Sequence, residues 1–88
     1  MSYNGWKNYS TWNTALWLSN DPGTYFTIQD FVKFYKNDKN LEAKLARFIQ
    51  AYVEEAMPEI APSMYLDLLS YAMQQIDFFE IADSYLEE

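Results

Sequence analysis

The chain has 88 residues, a formal net charge of −7, and neither His nor Cys. This length fits one domain spanning residues 1–88, and the missing residue types exclude disulfides, thiolate chemistry, sulfur-ligated metals and the commonest general base. Half of the residues are apolar, including three Trp, eight Tyr and six Phe, which is enough material for a core without cross-links. We therefore expect a domain that is not an enzyme and that holds neither a cofactor nor a metal.

The first predicted helix runs from about Ser10 to Ser19. Asn8 or Ser10 is expected to be its N-cap, because Asn and Ser side chains accept hydrogen bonds from free amides at helix starts. The turn residues Asn-Asp-Pro-Gly at positions 20–23 are expected to stop it. Helical spacing predicts that one face of this helix comprises Trp12, Ala15, Leu16 and Ser19.

The second predicted helix lies within residues 24–37 or begins a few residues earlier. Thr27 and Asp30 resemble a weak capping box near its start. Its apolar stripe comprises Ile28, Phe31, Val32 and Tyr35. An alternative is that residues 24–28 form a strand, since this Thr-Tyr-Phe-Thr-Ile run is β-branched and aromatic and follows a Pro-Gly turn.

The third helix has the clearest periodicity, with Asn40 as its cap and Pro58 as its end. Its inward residues are expected to be Leu41, Leu45, Phe48, Ile49, Tyr52, Val53 and Met57. The fourth helix is expected to start after Pro62 with Ser63 as its cap and to end near Asp77. Its apolar side is expected to comprise Tyr65, Leu66, Leu69, Ala72, Met73 and Ile76.

Asp77 is the predicted cap of a short fifth helix, because Glu80 follows it at the spacing of a capping box. This helix is expected to turn its apolar residues inward, namely Phe78, Ile81, Ala82, Tyr85 and Leu86. The chain is thus predicted to be all-α, a single small domain of about five short helices. No apolar run approaches the ~18 residues of a membrane span, and residues 1–6 do not resemble a signal peptide, so we expect a cytoplasmic protein.

The opening segment concentrates Trp and Asn side chains, with three Trp in the first 17 residues. One interpretation is structural: Trp6 and Trp12 fill the core, while Asn8 and Ser10 satisfy the free amides of a helix end. The other is functional, since an exposed Trp6 or Trp17 would be a typical anchor for a partner protein or a stacked base.

The string Asn-Gly-Trp-x-Asn-Tyr-x-Thr-Trp-Asn-x-x-Leu-Trp-Leu, at residues 4–18, resembles the opening of short uncharacterised proteins carried by bacteriophages and other mobile elements. The Ile-Asp-Phe-x-Glu-Ile-Ala ending, at residues 76–82, is similar to theirs. The resemblance implies a genomic setting in a phage or mobile element. By analogy, small acidic proteins of such elements often resemble anti-CRISPR or antirestriction inhibitors.

Charge is distributed unevenly between the two halves of the chain. Residues 1–47 carry six basic and four acidic side chains, or +2, whereas residues 48–88 carry nine acidic side chains and no basic one, or −9. In the fifth helix, Asp77, Glu80, Asp83 and Glu87 are spaced to form a ridge about 15 Å long. If the last three helices pack side by side, the same face is extended by Glu54, Glu55, Glu59 and Asp67.

This acidic surface has three interpretations: a solvated face that aids solubility, a cation site, or a mimic of a nucleic-acid backbone. The third predicts an inhibitor that binds a host defence or nucleic-acid-binding protein complex, without contacting nucleic acid or membrane itself. The alternative is a structural or self-assembling homodimer with an aromatic interface. Direct nucleic-acid binding by Lys33, Lys36, Lys39 and Lys44 is a lesser alternative, because a net charge of −7 opposes it.

Overall fold

The computed structural model describes residues 3 to 87, and in that range it contains five α-helices and no strand. The helices are α1 (Tyr9–Asn20), α2 (Pro22–Phe34), α3 (Leu41–Ala56), α4 (Met64–Gln74) and α5 (Phe78–Leu86). This confirms the all-α prediction. Glu88, one of the nine acidic residues of the second half, lies outside the described residues, as do Met1 and Ser2.

Helix α1 begins one residue earlier than expected, because Asn8 is its N-cap and accepts a hydrogen bond from the Thr11 amide at 2.9 Å. Ser10 therefore lies inside the helix and is not the cap. The inward face was predicted wrongly at two positions, since Leu16 and Ser19 are exposed. The face that reaches the core instead comprises Thr11, Ala15 and Leu18.

Helix α2 begins at Pro22, which suits the first helical position because its fixed φ is already helical and its missing amide hydrogen is not needed there. The strand alternative for residues 24–28 is therefore wrong. So is the capping box, because Thr27 lies within the helix and its hydroxyl donates to the Gly23 carbonyl. The predicted stripe is placed correctly at Ile28, which is buried, and at Phe31 and Val32, which pack against the core.

The core is formed chiefly by α3 and α5, although the inward face predicted for α3 is wrong at Tyr52 and Met57, which are exposed. Leu45, Ala46 and Ile49 of α3 are buried with Ile81, Ala82 and Tyr85 of α5. Near the start of α3, Glu42 lies close enough to Asp83, near the end of α5, for the two carboxyls to interact. Two turns further along α3, Gln50 lines a cavity with Phe78 and Phe79 at the start of α5. The two helices therefore run in opposite directions.

Helix α4 is the least embedded helix, since none of its residues is fully buried. The Ser63 cap is confirmed by its hydroxyl, which accepts from the Leu66 amide at 3.2 Å. The apolar side was predicted wrongly at Tyr65, which is 69% exposed. Asp77 caps α5 as predicted, accepting from the Glu80 amide at 3.1 Å.

A tight turn precedes α1, where Tyr3 and Trp6 form an antiparallel bridge. Asn4 and Gly5 stand between them with φ of 48° and 88°, the left-handed conformation that a primed two-residue turn requires. The turn brings Trp6 against the core and leaves Tyr3 to pack on Tyr9 and Trp12. Among residues 3 to 87, no helix combines the length and the apolar composition needed to cross a membrane.

Candidate functional site

The four predicted carboxylates of α5 divide into two pairs with different surroundings. Asp77 lies 3.7 Å from the Lys7 ammonium, and Glu80 accepts a hydrogen bond from the Lys7 backbone amide at 3.0 Å. Asp83 and Glu87 are exposed. Since the ion pairs within residues 3 to 87 are Lys7 with Asp77 and Lys44 with Asp38, neither Asp83 nor Glu87 has a cationic partner there.

A fifth carboxylate, Glu42, joins this surface from α3. Asp83 raises the pKa of Glu42 above its ordinary value, first as a hydrogen-bond partner of the protonated form and second as a like charge nearby. Glu42 therefore keeps its proton to a higher pH than an isolated Glu does, and once ionised it adds a negative charge beside Asp83. We call Glu42, Glu80, Asp83 and Glu87 the acidic face.

Trp6 is half-buried and packs against the core, as the structural interpretation of the opening segment expects, and it also lies beside the acidic face. Its ring lines a hollow of about 310 Å³ together with Gly5, Glu80, Asp83, Ser84 and Glu87. An aromatic ring and carboxylates around one hollow are complementary to a Lys or Arg side chain, because the ring face and the carboxylates both attract a cation.

The remaining predicted carboxylates lie elsewhere. Glu54 lines a cavity of about 670 Å³ that also contains Asp77, Lys7 and Arg47, so both signs of charge meet there. Glu59 borders an apolar hollow in the connection between α3 and α4, and Glu55 and Asp67 are exposed on α3 and α4. Because α3 and α5 run in opposite directions, Glu54 and Glu55 lie at the end of α5 away from Asp83 and Glu87.

Trp17, the other predicted anchor, belongs to a different surface. It is 71% exposed and lines a groove of about 400 Å³ between α1, α3 and α4. Among residues 3 to 87, those that line this groove are uncharged, and its apolar walls include Leu18, Tyr52, Val53, Met57, Leu69 and Met73. The two predicted Trp anchors therefore line different hollows.

Among the lysines proposed for direct nucleic-acid binding, Lys44 has a partner of its own. Its ammonium lies 2.6 Å from Asp38 and 5.0 Å from the centre of the Tyr35 ring. The hydrogen bond from Lys44 holds the pKa of Asp38 below its ordinary value. Lys44 therefore acts in a local contact at the start of α3, which weakens the alternative of direct nucleic-acid binding.

A family model described as a family of unknown function (DUF7249) matches residues 1–88. The chain belongs to this family. No curated protein and no solved structure matches the chain. The family assignment covers the acidic face, Trp6 and Trp17 alike, and it assigns no activity to any of them.

Replacing Glu42 with Gln should raise the melting temperature at pH 7 by a few degrees at most, because the amide removes the repulsion by Asp83 and donates to it. Folding raises the pKa of Glu42, so the folded state binds protons more readily than the unfolded state. The contribution of Glu42 to stability therefore falls as the pH rises above its ordinary pKa of 4.5. The advantage of the variant should vanish in acid, where Glu is protonated in both states. Thermal melts at pH 7 and in acid measure this difference.

Glu55→Gln is the matched control, since Glu55 is exposed on the same helix. It removes the same charge without touching Asp83. Equal stabilisation by the two substitutions at pH 7 would show that net charge, and not the Glu42 contact with Asp83, causes the effect.

Proposed function

We propose that this chain is a non-enzymatic inhibitor or binding protein from a phage or mobile element. It acts in the bacterial cytoplasm on a host nucleic-acid-handling defence complex, through an acidic surface that mimics DNA. The observation that carries the proposal is the grouping of Glu80, Asp83 and Glu87 around the hollow beside Trp6, with Glu42 of α3 close to Asp83. Keeping like charges together is unfavourable for folding, which favours a role for them in binding.

The placement of these charges supports mimicry of a nucleic-acid backbone. Duplex DNA carries one negative charge per ~1.7 Å of its axis, and the proteins that bind it neutralise those charges with Lys and Arg. Asp83 and Glu87 lie about one helical turn apart along α5, and Glu42 adds a third carboxylate from α3. Because both helices contribute to the buried core, the carboxylates have a rigid support.

The hollow beside Trp6 supports a protein partner with basic side chains. A Lys or Arg entering it would meet the ring of Trp6 and the carboxylates of Glu80, Asp83 and Glu87. A surface that only aids solubility would not need an aromatic side chain such as Trp6 among its carboxylates. Binding through this hollow requires no nucleophile, which suits a chain without His or Cys.

Charge reversal provides the test. The double variant Asp83→Lys with Glu87→Lys should lose at least ~10-fold in affinity for a DNA-binding defence complex, because it removes both attraction and electrostatic steering. The binding of the unmodified protein should weaken as salt is raised. Titration calorimetry at two salt concentrations, together with an assay of DNA cleavage by the complex, measures both effects.

The matched control is Glu55→Lys with Asp67→Lys, which changes the net charge equally at exposed positions away from α5. This control should bind almost normally if the acidic face is the site. Full inhibition by the α5 double variant would contradict the DNA-mimic proposal. An equal loss of affinity in both double variants would show that overall charge, and not the acidic face, determines binding.

A further inference from the structure

Helix α4 presents a large apolar face to solvent. Four of its side chains are exposed: Met64 by 64%, Tyr65 by 69%, Leu68 by 62% and Tyr71 by 67%. Met64, Leu68 and Tyr71 recur at spacings of four and three, so they share one side of the helix. A helix that is apolar on its inner and outer sides is typical of one buried on both.

The outer face of α4 is continuous with the groove that contains Trp17. Successive residues are rotated by about 100° around the helix axis, so Tyr65 and Ala72 lie on one flank of the outer face. Leu69 and Met73, which line the groove, lie on the far side of this flank. Asp67 is the only charged residue in α4, and it lies on the remaining side. The apolar surface therefore runs from Trp17 across the groove and around α4. We call Trp17, Met64, Tyr65, Leu68 and Tyr71 the α4 face.

The size of the α4 face matches what a stable dimer needs. Since a buried aromatic side chain covers about 150–250 Å², these five side chains expose on the order of 600–800 Å². Each partner in a standard protein interface buries about 800 Å². Tyr, Trp and Met are also the residue types enriched at interface cores, where Asp, Glu and Lys are depleted.

We propose that the α4 face is the interface of a homodimer, an inference that goes beyond the inhibitory function. The occupant is a second copy of this chain, because a single apolar helix with few charges can pack on its own copy about a two-fold axis. Two chains of charge −7 repel each other, and the five side chains of the α4 face add no charge to that repulsion.

Sedimentation velocity over a wide concentration range tests the dimer. Tyr71→Glu, or independently Leu68→Glu, should raise the dimer dissociation constant at least ~10-fold, since two-fold symmetry buries two new charges. Both side chains are exposed in the single chain, so the variants should keep the far-ultraviolet circular dichroism of the unmodified protein. Phe34→Glu is the control, because Phe34 is 80% exposed at the end of α2 and lies outside the α4 face.

Salt distinguishes this interface from the acidic face. Salt screens the repulsion between two acidic chains, so the dimer should tighten as salt is added, while binding through the acidic face should weaken. A protein that stays monomeric at every concentration and salt level would overturn the homodimer and assign the α4 face to a different protein. A dimer that persists in both α4 variants, or that is lost equally in Phe34→Glu, would also overturn it.

Discussion

Replacing Leu45 with Ala should lower the free energy of unfolding by about 2–5 kcal/mol. Leu45 is completely buried where α3 packs against α5 and α2. The substitution removes apolar contacts and leaves a cavity that the surrounding helices can close only partly. Domains of this size are stable by only about 5–15 kcal/mol, so this loss is a large part of the total.

Urea denaturation followed by circular dichroism measures this effect, and Leu68→Ala is the matched control. Leu68 is 62% exposed on α4, so the same substitution there should change the free energy of unfolding of the single chain by about 0.5 kcal/mol or less. The comparison should be made at a concentration where sedimentation finds the monomer. Equal losses at the two positions would contradict the burial of α3 and the exposure of α4.

The fold class and most helix boundaries follow from short-range signals. Asn8, Ser63 and Asp77 each precede a helical segment and cap it through their own side chains. Such contacts span three residues, so the sequence alone contains the information needed to predict them. The Asn4-Gly5 pair is a similar local signal for the primed turn that the structure contains there.

Errors arose where tertiary packing selects a helical face. In α4 the apolar residues surround most of the helix, so periodicity could not determine that Tyr65 faces solvent while Leu66 turns inward. In α1 the buried stripe begins at Thr11, a polar residue that an apolar pattern omits. Its burial depends on hydrogen-bond partners more than 60 residues away in the chain.

The candidate site was found only in part for the same reason. The spacing of Asp83 and Glu87 correctly placed both on the exposed side of α5. Glu42 was missed because it belongs to the half of the chain with charge +2, and only the opposed directions of α3 and α5 bring it to Asp83. Lys7 has the opposite effect, since its ammonium pairs with Asp77 and removes that residue from the predicted ridge.

Thr11 and Asn8 together attach the start of α1 to the connection between α4 and α5. The buried Thr11 hydroxyl accepts a hydrogen bond from the Asp77 amide at 2.9 Å and donates to the Gln75 carbonyl at 3.5 Å. The Asn8 side-chain amide donates to the same carbonyl at 2.8 Å. The Asn and Thr of the opening string therefore have a structural role, while Trp6 of the same string reaches the acidic face.

Replacing Thr11 with Val should therefore cost about 1–3 kcal/mol of stability, because the shape is kept while the Asp77 amide loses its partly buried acceptor. The melting temperature should fall by about 4–8 °C for each kcal/mol lost. Thr27→Val is the matched control, since the Thr27 hydroxyl is exposed and only donates within its own helix, to Gly23. Because Asp77 also caps α5, the loosened connection should weaken the support of the acidic face. Equal melting temperatures for the two variants would show that the link to Asp77 and Gln75 does not stabilise the fold, and that α5 is held in place by the core alone.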